Sequence, residues 1–224
     1  MKKSKVLPPF IVVLAASCGP QQLGGDFEIN YRALVVTTDY QTGSYALLEP
    51  ESSPRTNIDV IHPDAVCRVD RKTESVFLVS RLGADAIEVL VPAMLNVLSE
   101  YSLGPGSNPQ DVAVSGGKLF VPLLARSELA VLEGSTGQRL EGVDLSAYAD
   151  DDGIPEAAWA IAHRGKVYVA LQLLDNFLPT GRSLLAVVDP STHVVEKVIE
   201  LRGADPFGKM RLIAGTDLLV LADV

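Results

Sequence analysis

The densest chemistry-bearing cluster in the sequence is Tyr148-Ala149-Asp150-Asp151-Asp152-Gly153-Ile154-Pro155-Glu156. Carboxylates beside a glycine turn could wrap Ca²⁺, a hard cation that takes oxygen ligands. An EF-hand loop alternates its acids and closes on a bidentate Glu, whereas contiguous aspartates cannot all face one way. Asp150, Asp151 and Asp152 are therefore candidate calcium ligands in a segment that also reads as a solvated loop. No other cofactor is expected. His62, His163 and His193 stand at unlike points of the chain, which disfavours a zinc or copper centre built on histidine. No G-x-S-x-G elbow is present to expose a nucleophilic serine. Cys67 lies in Ala65-Val66-Cys67-Arg68-Val69, on the strand face of Ala65 and Val69, where a thiol behaves as a small hydrophobe. No base stands near it in sequence, so it is not assigned as a nucleophile. Asp64, Asp111 and Glu156 follow recurrent prolines and read as turn residues, or alternatively as acids of a central pocket. Trp159 reads as core, or alternatively as a platform for stacking a ligand. No catalytic residue is assigned.

The elements that must position these residues follow from composition and pattern. A chain of 224 residues, 47% hydrophobic and 21% charged, can bury a sizeable core and is too apolar to be disordered throughout. Its net charge is −9, and Arg126, Arg164, Lys166 and Arg182 form no basic run, so nucleic acid is not an expected partner. Two cysteines do not make a disulfide scaffold.

The N-terminus reads Met1-Lys2-Lys3-Ser4-Lys5, then an apolar run from Val6 to Ala16, then Ser17-Cys18-Gly19. A basic start, a short apolar stretch and small residues before a cut describe a secretory signal peptide. The run is too short for the roughly 20 residues that span a bilayer, and Pro8 and Pro9 interrupt it. Leu14-Ala15-Ala16-Ser17-Cys18 resembles a bacterial lipobox. That resemblance implies cleavage before Cys18, diacylglycerol on its thiol and membrane attachment through the acyl chains. Gly19 after the cysteine resembles lipoproteins sent on to the outer membrane. The expected organisation is a signal peptide over 1–17, a polar Gly-containing tether over 18–30 and a repeat domain over 31–224.

Short strands recur through that domain. Ala33-Leu34-Val35-Val36-Thr37, Ser75-Val76-Phe77-Leu78-Val79, Lys118-Leu119-Phe120-Val121-Pro122, Lys166-Val167-Tyr168-Val169-Ala170 and Asp217-Leu218-Leu219-Val220-Leu221 are apolar at nearly every position. That is the pattern of strands buried on both faces. Pro63, Pro109, Pro155 and Pro206 keep a similar step. Each precedes an alternating strand, and turns such as Ser115-Gly116-Gly117 and His163-Arg164-Gly165 lead on into the apolar one. A third and a fourth strand complete the unit. Four strands every ~40–50 residues is the period of a β-propeller blade, because one such sheet buries both faces only when its neighbours stack on it. The expected fold is all-β, a propeller of about four four-stranded units; a β-sandwich is the alternative.

Ala186-Val187-Val188-Asp189-Pro190-Ser191-Thr192-His193-Val194-Val195-Glu196-Lys197-Val198-Ile199-Glu200-Leu201, the junction Gly104-Pro105-Gly106-Ser107-Asn108-Pro109 and the strand Lys166-Val167-Tyr168-Val169 resemble the repeats of surface-layer-type propellers of the YVTN and YncE-like kind. The resemblance covers residues 31–224 and speaks to fold rather than function. The last unit offers two strands and the first lacks a convincing innermost one. An incomplete ring, cut short at the C-terminus, is therefore expected, with a closed four-bladed ring as the alternative. The functional expectation is a lipid-anchored protein of the bacterial cell envelope, at the outer membrane, whose propeller is a non-catalytic module binding a protein, peptide or glycan. An envelope enzyme of lactonase-like or quinoprotein-like type is the alternative.

Overall fold

The computed structural model describes residues 32–49 and 52–222. Cys18, the signal segment 1–17 and the tether 18–30 lie outside the described residues. The chain forms a series of antiparallel sheets, built from strands consecutive in sequence except for one inserted hairpin in blade 4. Blade 1 holds β1 (Ala33–Thr38), β2 (Gly43–Leu48) and β3 (Val60–Ile61). Blade 2 holds β4 (Ala65–Asp70), β5 (Ser75–Ser80), β6 (Ala86–Leu90) and β7 (Val97–Ser102). Blade 3 holds β8 (Ala113–Ser115), β9 (Lys118–Pro122), β10 (Glu128–Glu133) and β11 (Val143–Asp144). Blade 4 pairs β12 (Ala157–His163), β13 (Lys166–Leu171), β16 (Leu184–Asp189) and β17 (Val194–Glu200), with a small hairpin, β14 (Leu174–Asp175) and β15 (Leu178–Pro179), inserted at its middle. Beyond it, β18 (Arg211–Leu212) pairs with β19 (Leu219–Val220).

Packing between blades explains the apolar second strands. In β5, Val76 and Leu78 join the core shared with blade 1, while Phe77 and Val79 join the core shared with blade 3. In β9, Leu119 and Val121 face back to blade 2 and Phe120 faces forward to blade 4. In β13, Val167 and Val169 face back and Tyr168 faces forward, toward a fourth cluster around Trp159 and Met210. The aromatic at this repeated position thus always points to the next blade. Successive clusters between successive sheets form a blade series, not the two facing layers of a sandwich.

The turns follow from residue chemistry. Gly116 (φ +59°) with Gly117 (φ +80°), and Arg164 (φ +47°) with Gly165 (φ +73°), make the two-residue left-handed turns whose twist matches paired strands. Cys67 is buried against the blade 1 core, with half-buried Ala65 and Val69 on the same face beside it.

Some expectations change. The strand expected over Asp217 to Leu221 as buried on both faces shortens to Leu219–Val220, and Leu218 is 62% exposed. Among the described residues no further sheet packs on it. Tyr168 is only half-buried. The alternating strand after Pro109 begins only at Ala113, and buried Asp111 ahead of it accepts from Arg68. The fourth strands of blades 1 and 3 are short, reduced to β3 and β11, each preceded by a single bridge, Leu47 to Arg55 and Leu132 to Arg139.

Candidate functional site

Antiparallel order sends the β11–β12 loop and the β13–β16 connection out at the same end of blade 4. The acidic loop lies in the first of these and the inserted hairpin in the second. Between them is a recess of about 680 Å³ walled by Asp150, Asp151 and Asp152 on one side and by Leu174, Asp175, Thr180 and Arg182 on the other. Inside the loop, Asp152 Oδ1 accepts from the Ile154 N–H at 2.7 Å and Asp150 carbonyl accepts from the Gly153 N–H at 3.1 Å. Burial, with the neighbouring Asp152 and Asp151 charges, lifts the Asp150 carboxyl above its ordinary range. Among the described residues no three or more of His, Cys, Asp and Glu are grouped as the ligands of a metal ion would be.

The hairpin is the feature that sequence reasoning missed. Its turn places Asn176 (φ +48°) and Phe177 (φ +65°) in the left-handed region. Asparagine tolerates that conformation and phenylalanine rarely does, so no standard turn signal marks the segment. Phe177 and Leu178 are 79% and 68% exposed at its tip.

Glu156, next to recurrent Pro155, lies behind the recess wall rather than in it, bonded to the backbone of the lining residue Leu174. It is 7% exposed, and its Oε2 accepts from the Leu174 N–H at 3.0 Å. Burial, with smaller contributions from the Asp152 and Asp150 charges, raises its pKa to about 7. A carboxyl whose folded pKa exceeds its unfolded value supports the fold fully below the unfolded pKa, near 4.5, and loses that support as pH rises through about 7. Chemical denaturation of the wild type should therefore show stability falling by about 1–3 kcal/mol between pH 4.5 and 8. Glu156→Gln, which places here the residue found after Pro109 in blade 3, should flatten that dependence. An unchanged slope in the variant would assign the dependence to other groups.

A second cluster sits where the innermost strands meet. Arg68 leaves β4 and donates from Nε to Val112 O at 3.1 Å and from Nη2 to Asp111 Oδ2 at 2.7 Å; Nη2 also donates to Ala160 O. One guanidinium thus joins blades 2, 3 and 4. Asp111 is fully buried, and its Oδ2 also accepts from the Ala160 N–H at 3.2 Å, while Oδ1 has no partner. Lys209, just before β18, donates to Cys67 O and places Nζ 5.9 Å from the centroid of the Trp159 ring. Burial pulls the Lys209 pKa down and pushes the Cys67 thiol up. Trp159 Nε1 is buried without an acceptor.

The remaining singled-out residues hold the blades together. Arg81 donates from Nε to Asp64 Oδ1 and from Nη1 to Gln110 Oε1, both at 2.9 Å, linking the prolyl junctions of blades 2 and 3. The histidines do not converge. His62 hydrogen-bonds locally to the Asp64 backbone. His163 Nε2 stands 3.7 Å from Asp217 Oδ1. His193 Nδ1 lies 2.6 Å from Glu141 O and Nε2 2.9 Å from Lys118 Nζ, and its ring meets Phe120 edge-on. Neither Arg68 nor Lys209 was marked by sequence as a site residue. The one available signal was a charge, Arg68, inside an alternating strand.

No family model and no curated protein matches the chain by sequence. By structure the chain is similar to the WD40 β-propeller domain of Doa1, with a TM-score of 0.57, 11% identity and coverage of 85% of this chain and 56% of that one. It is similar to the dihydro-heme d1 dehydrogenase NirN, solved in complex with DHE, with a TM-score of 0.54, 11% identity and coverage of 76% and 35%. It is also similar to Kuenenia stuttgartiensis hydrazine synthase, with a TM-score of 0.51, 14% identity and coverage of 66% and 38%. The chain spans between about a third and just over half the length of these proteins. At such identities the likeness speaks to architecture, and together with the blade series it establishes an all-β chain with the β-propeller fold.

Proposed function

We propose that the chain is a lipoprotein of the bacterial cell envelope whose propeller is a non-catalytic binding module, and that it engages a protein or peptide partner at the blade 4 recess. The observation that carries this reading is the inserted hairpin. It presents Phe177 and Leu178 to solvent beside a recess where Asp150, Asp151, Asp152 and Asp175 outnumber Arg182. Exposed aromatic and aliphatic anchors beside a polar wall are the ingredients of a protein-binding patch. The excess of carboxylates favours a basic segment in the partner.

The test is crosslinking in intact envelopes with the full-length protein. A Phe177→Ser/Leu178→Ser double variant should lose the crosslinked species, while folding as the wild type does. Retention of the same species by that variant would exclude the hairpin as the contact.

Envelope attachment is tested at Cys18. An alkyne palmitate should label the wild type and leave Cys18→Ser unlabelled. Equal labelling of the two would remove the lipoprotein reading.

An envelope enzyme of lactonase-like or quinoprotein-like type is the second reading, and one observation favours it. Glu156 has a pKa of about 7, the value suited to a general acid or base at neutral pH. Hydrolysis of a lactone panel that disappears in Glu156→Gln would move the assignment to this reading.

A further inference from the structure

We infer that the β14–β15 hairpin is a flap that stays closed on Glu156 while that side chain is protonated and loosens as it ionises. The inference deepens the binding-module reading by giving the blade 4 recess a regulation, and it rests on that reading for its use.

The hairpin holds itself together weakly. Its strands share only the pairs Leu174↔Pro179 and Asp175↔Leu178, and a short two-stranded ribbon is marginal in water. Leu173 (φ +54°), Asn176 (φ +48°) and Phe177 (φ +65°) all take left-handed backbone, which is costly in residues other than glycine. Attachment to the blade is concentrated at one turn. The Leu173 N–H donates to Pro155 O at 3.5 Å and the Leu174 N–H to Glu156 Oε2 at 3.0 Å. Leu173 is anchored in the core that blades 3 and 4 share, and Gly181 (φ +83°) supplies a glycine joint on the return side. The segment between these two points can swing, and Glu156 is what it closes on.

Glu156 is poorly placed to carry a charge. The acidic loop adds the fields of Asp152 and Asp150, and the hairpin offers a single N–H. The Gln172 side chain, at the end of β13, is spent on Asp205, and Arg182 of the recess wall stands 3.8 Å from Glu200. No cation eases the ionisation. Burial outweighs the Leu174 N–H bond and, with the two aspartates, keeps the proton on Glu156 up to about pH 7, against an ordinary 4.5. Opening the hairpin admits water to the carboxylate and returns it toward its ordinary range. Closure is therefore fully favoured below pH 4.5 and loses support as pH rises through about 7. Between those limits the opening constant gains at most about tenfold per pH unit.

The experiment is amide hydrogen exchange of the full chain between about pH 5.5 and 7.5, each rate divided by the intrinsic rate of that amide at that pH. In the wild type the opening constant of the Leu174 amide should rise by about tenfold or more over this range. Val169 and Ala170 of β13 should stay protected, which marks a local opening rather than unfolding. Glu156→Gln keeps an acceptor for the Leu174 N–H and cannot ionise, so its opening constant should stay level. Asp152→Asn keeps the acceptor for the Ile154 N–H and removes one facing charge, so the rise should level off at a lower pH. A level wild-type profile, an equal rise in Glu156→Gln, or exchange of Leu174 only together with β13 would overturn the flap. The measurement needs no partner, so failure of the flap and failure of the crosslink at Phe177 and Leu178 are read separately.

Discussion

Replacing Phe120 with alanine should destabilise the protein by about 3–5 kcal/mol, the usual cost of removing a fully buried aromatic. Phe120 is wholly inaccessible in the centre of β9 and packs forward into the core that blades 3 and 4 share, edge-on to His193. Nothing in a four-stranded sheet can slide in to fill the space, because strand register holds each neighbour in place. Natural stabilities lie near 5–15 kcal/mol, so the loss is a large share of the total. Phe207→Ala is the matched comparison, since Phe207 is 67% exposed and should change stability by less than about 0.5 kcal/mol. Equilibrium denaturation of both variants reads the difference directly. Equal midpoints would show that the repeated aromatic does not bear the blade interface.

Replacing Arg68 with methionine should cost a similar amount, about 3–5 kcal/mol, for a different reason. The substitution keeps much of the side-chain volume and removes the cation that faces fully buried Asp111. Breaking a buried ion pair on one side strands the other charge in a poor solvent. Removing both charges, as in Arg68→Met with Asp111→Leu, should recover part of the loss. Recovery stays incomplete because the Ala160 N–H also donates to Asp111 and would lose its acceptor. A strongly non-additive cycle in chemical denaturation is the expected result. Simple additivity would mean that Arg68 and Asp111 do not act as a pair.

These variants probe two kinds of feature that differ in how they show in a sequence. The blade cores were legible. Strands such as Ser75–Ser80 and Lys118–Pro122 are apolar on both sides of the strand, and that doubled apolarity can be satisfied only by a sheet covered on each face. The hairpin turns were legible too, because Gly-Gly and Arg-Gly supply the positive φ a two-residue turn requires. The β14–β15 hairpin was not, since Phe177 takes a left-handed conformation that its type does not announce. The acidic run was visible as charge, but that it faces Asp175 and Arg182 across a recess depends on a hairpin inserted elsewhere in the blade.

Residues close along the chain therefore disclosed the blades, because each blade is a run of consecutive antiparallel strands whose side-chain alternation is written locally. The axial cluster came from folding alone. Arg68 meets Asp111 across 43 positions and Ala160 across 92, and Lys209 reaches Cys67 across 142. No local pattern encodes such meetings. They arise because stacking successive blades brings their first strands, and the segments leading into them, side by side, where a lone arginine, aspartate, tryptophan and lysine become neighbours.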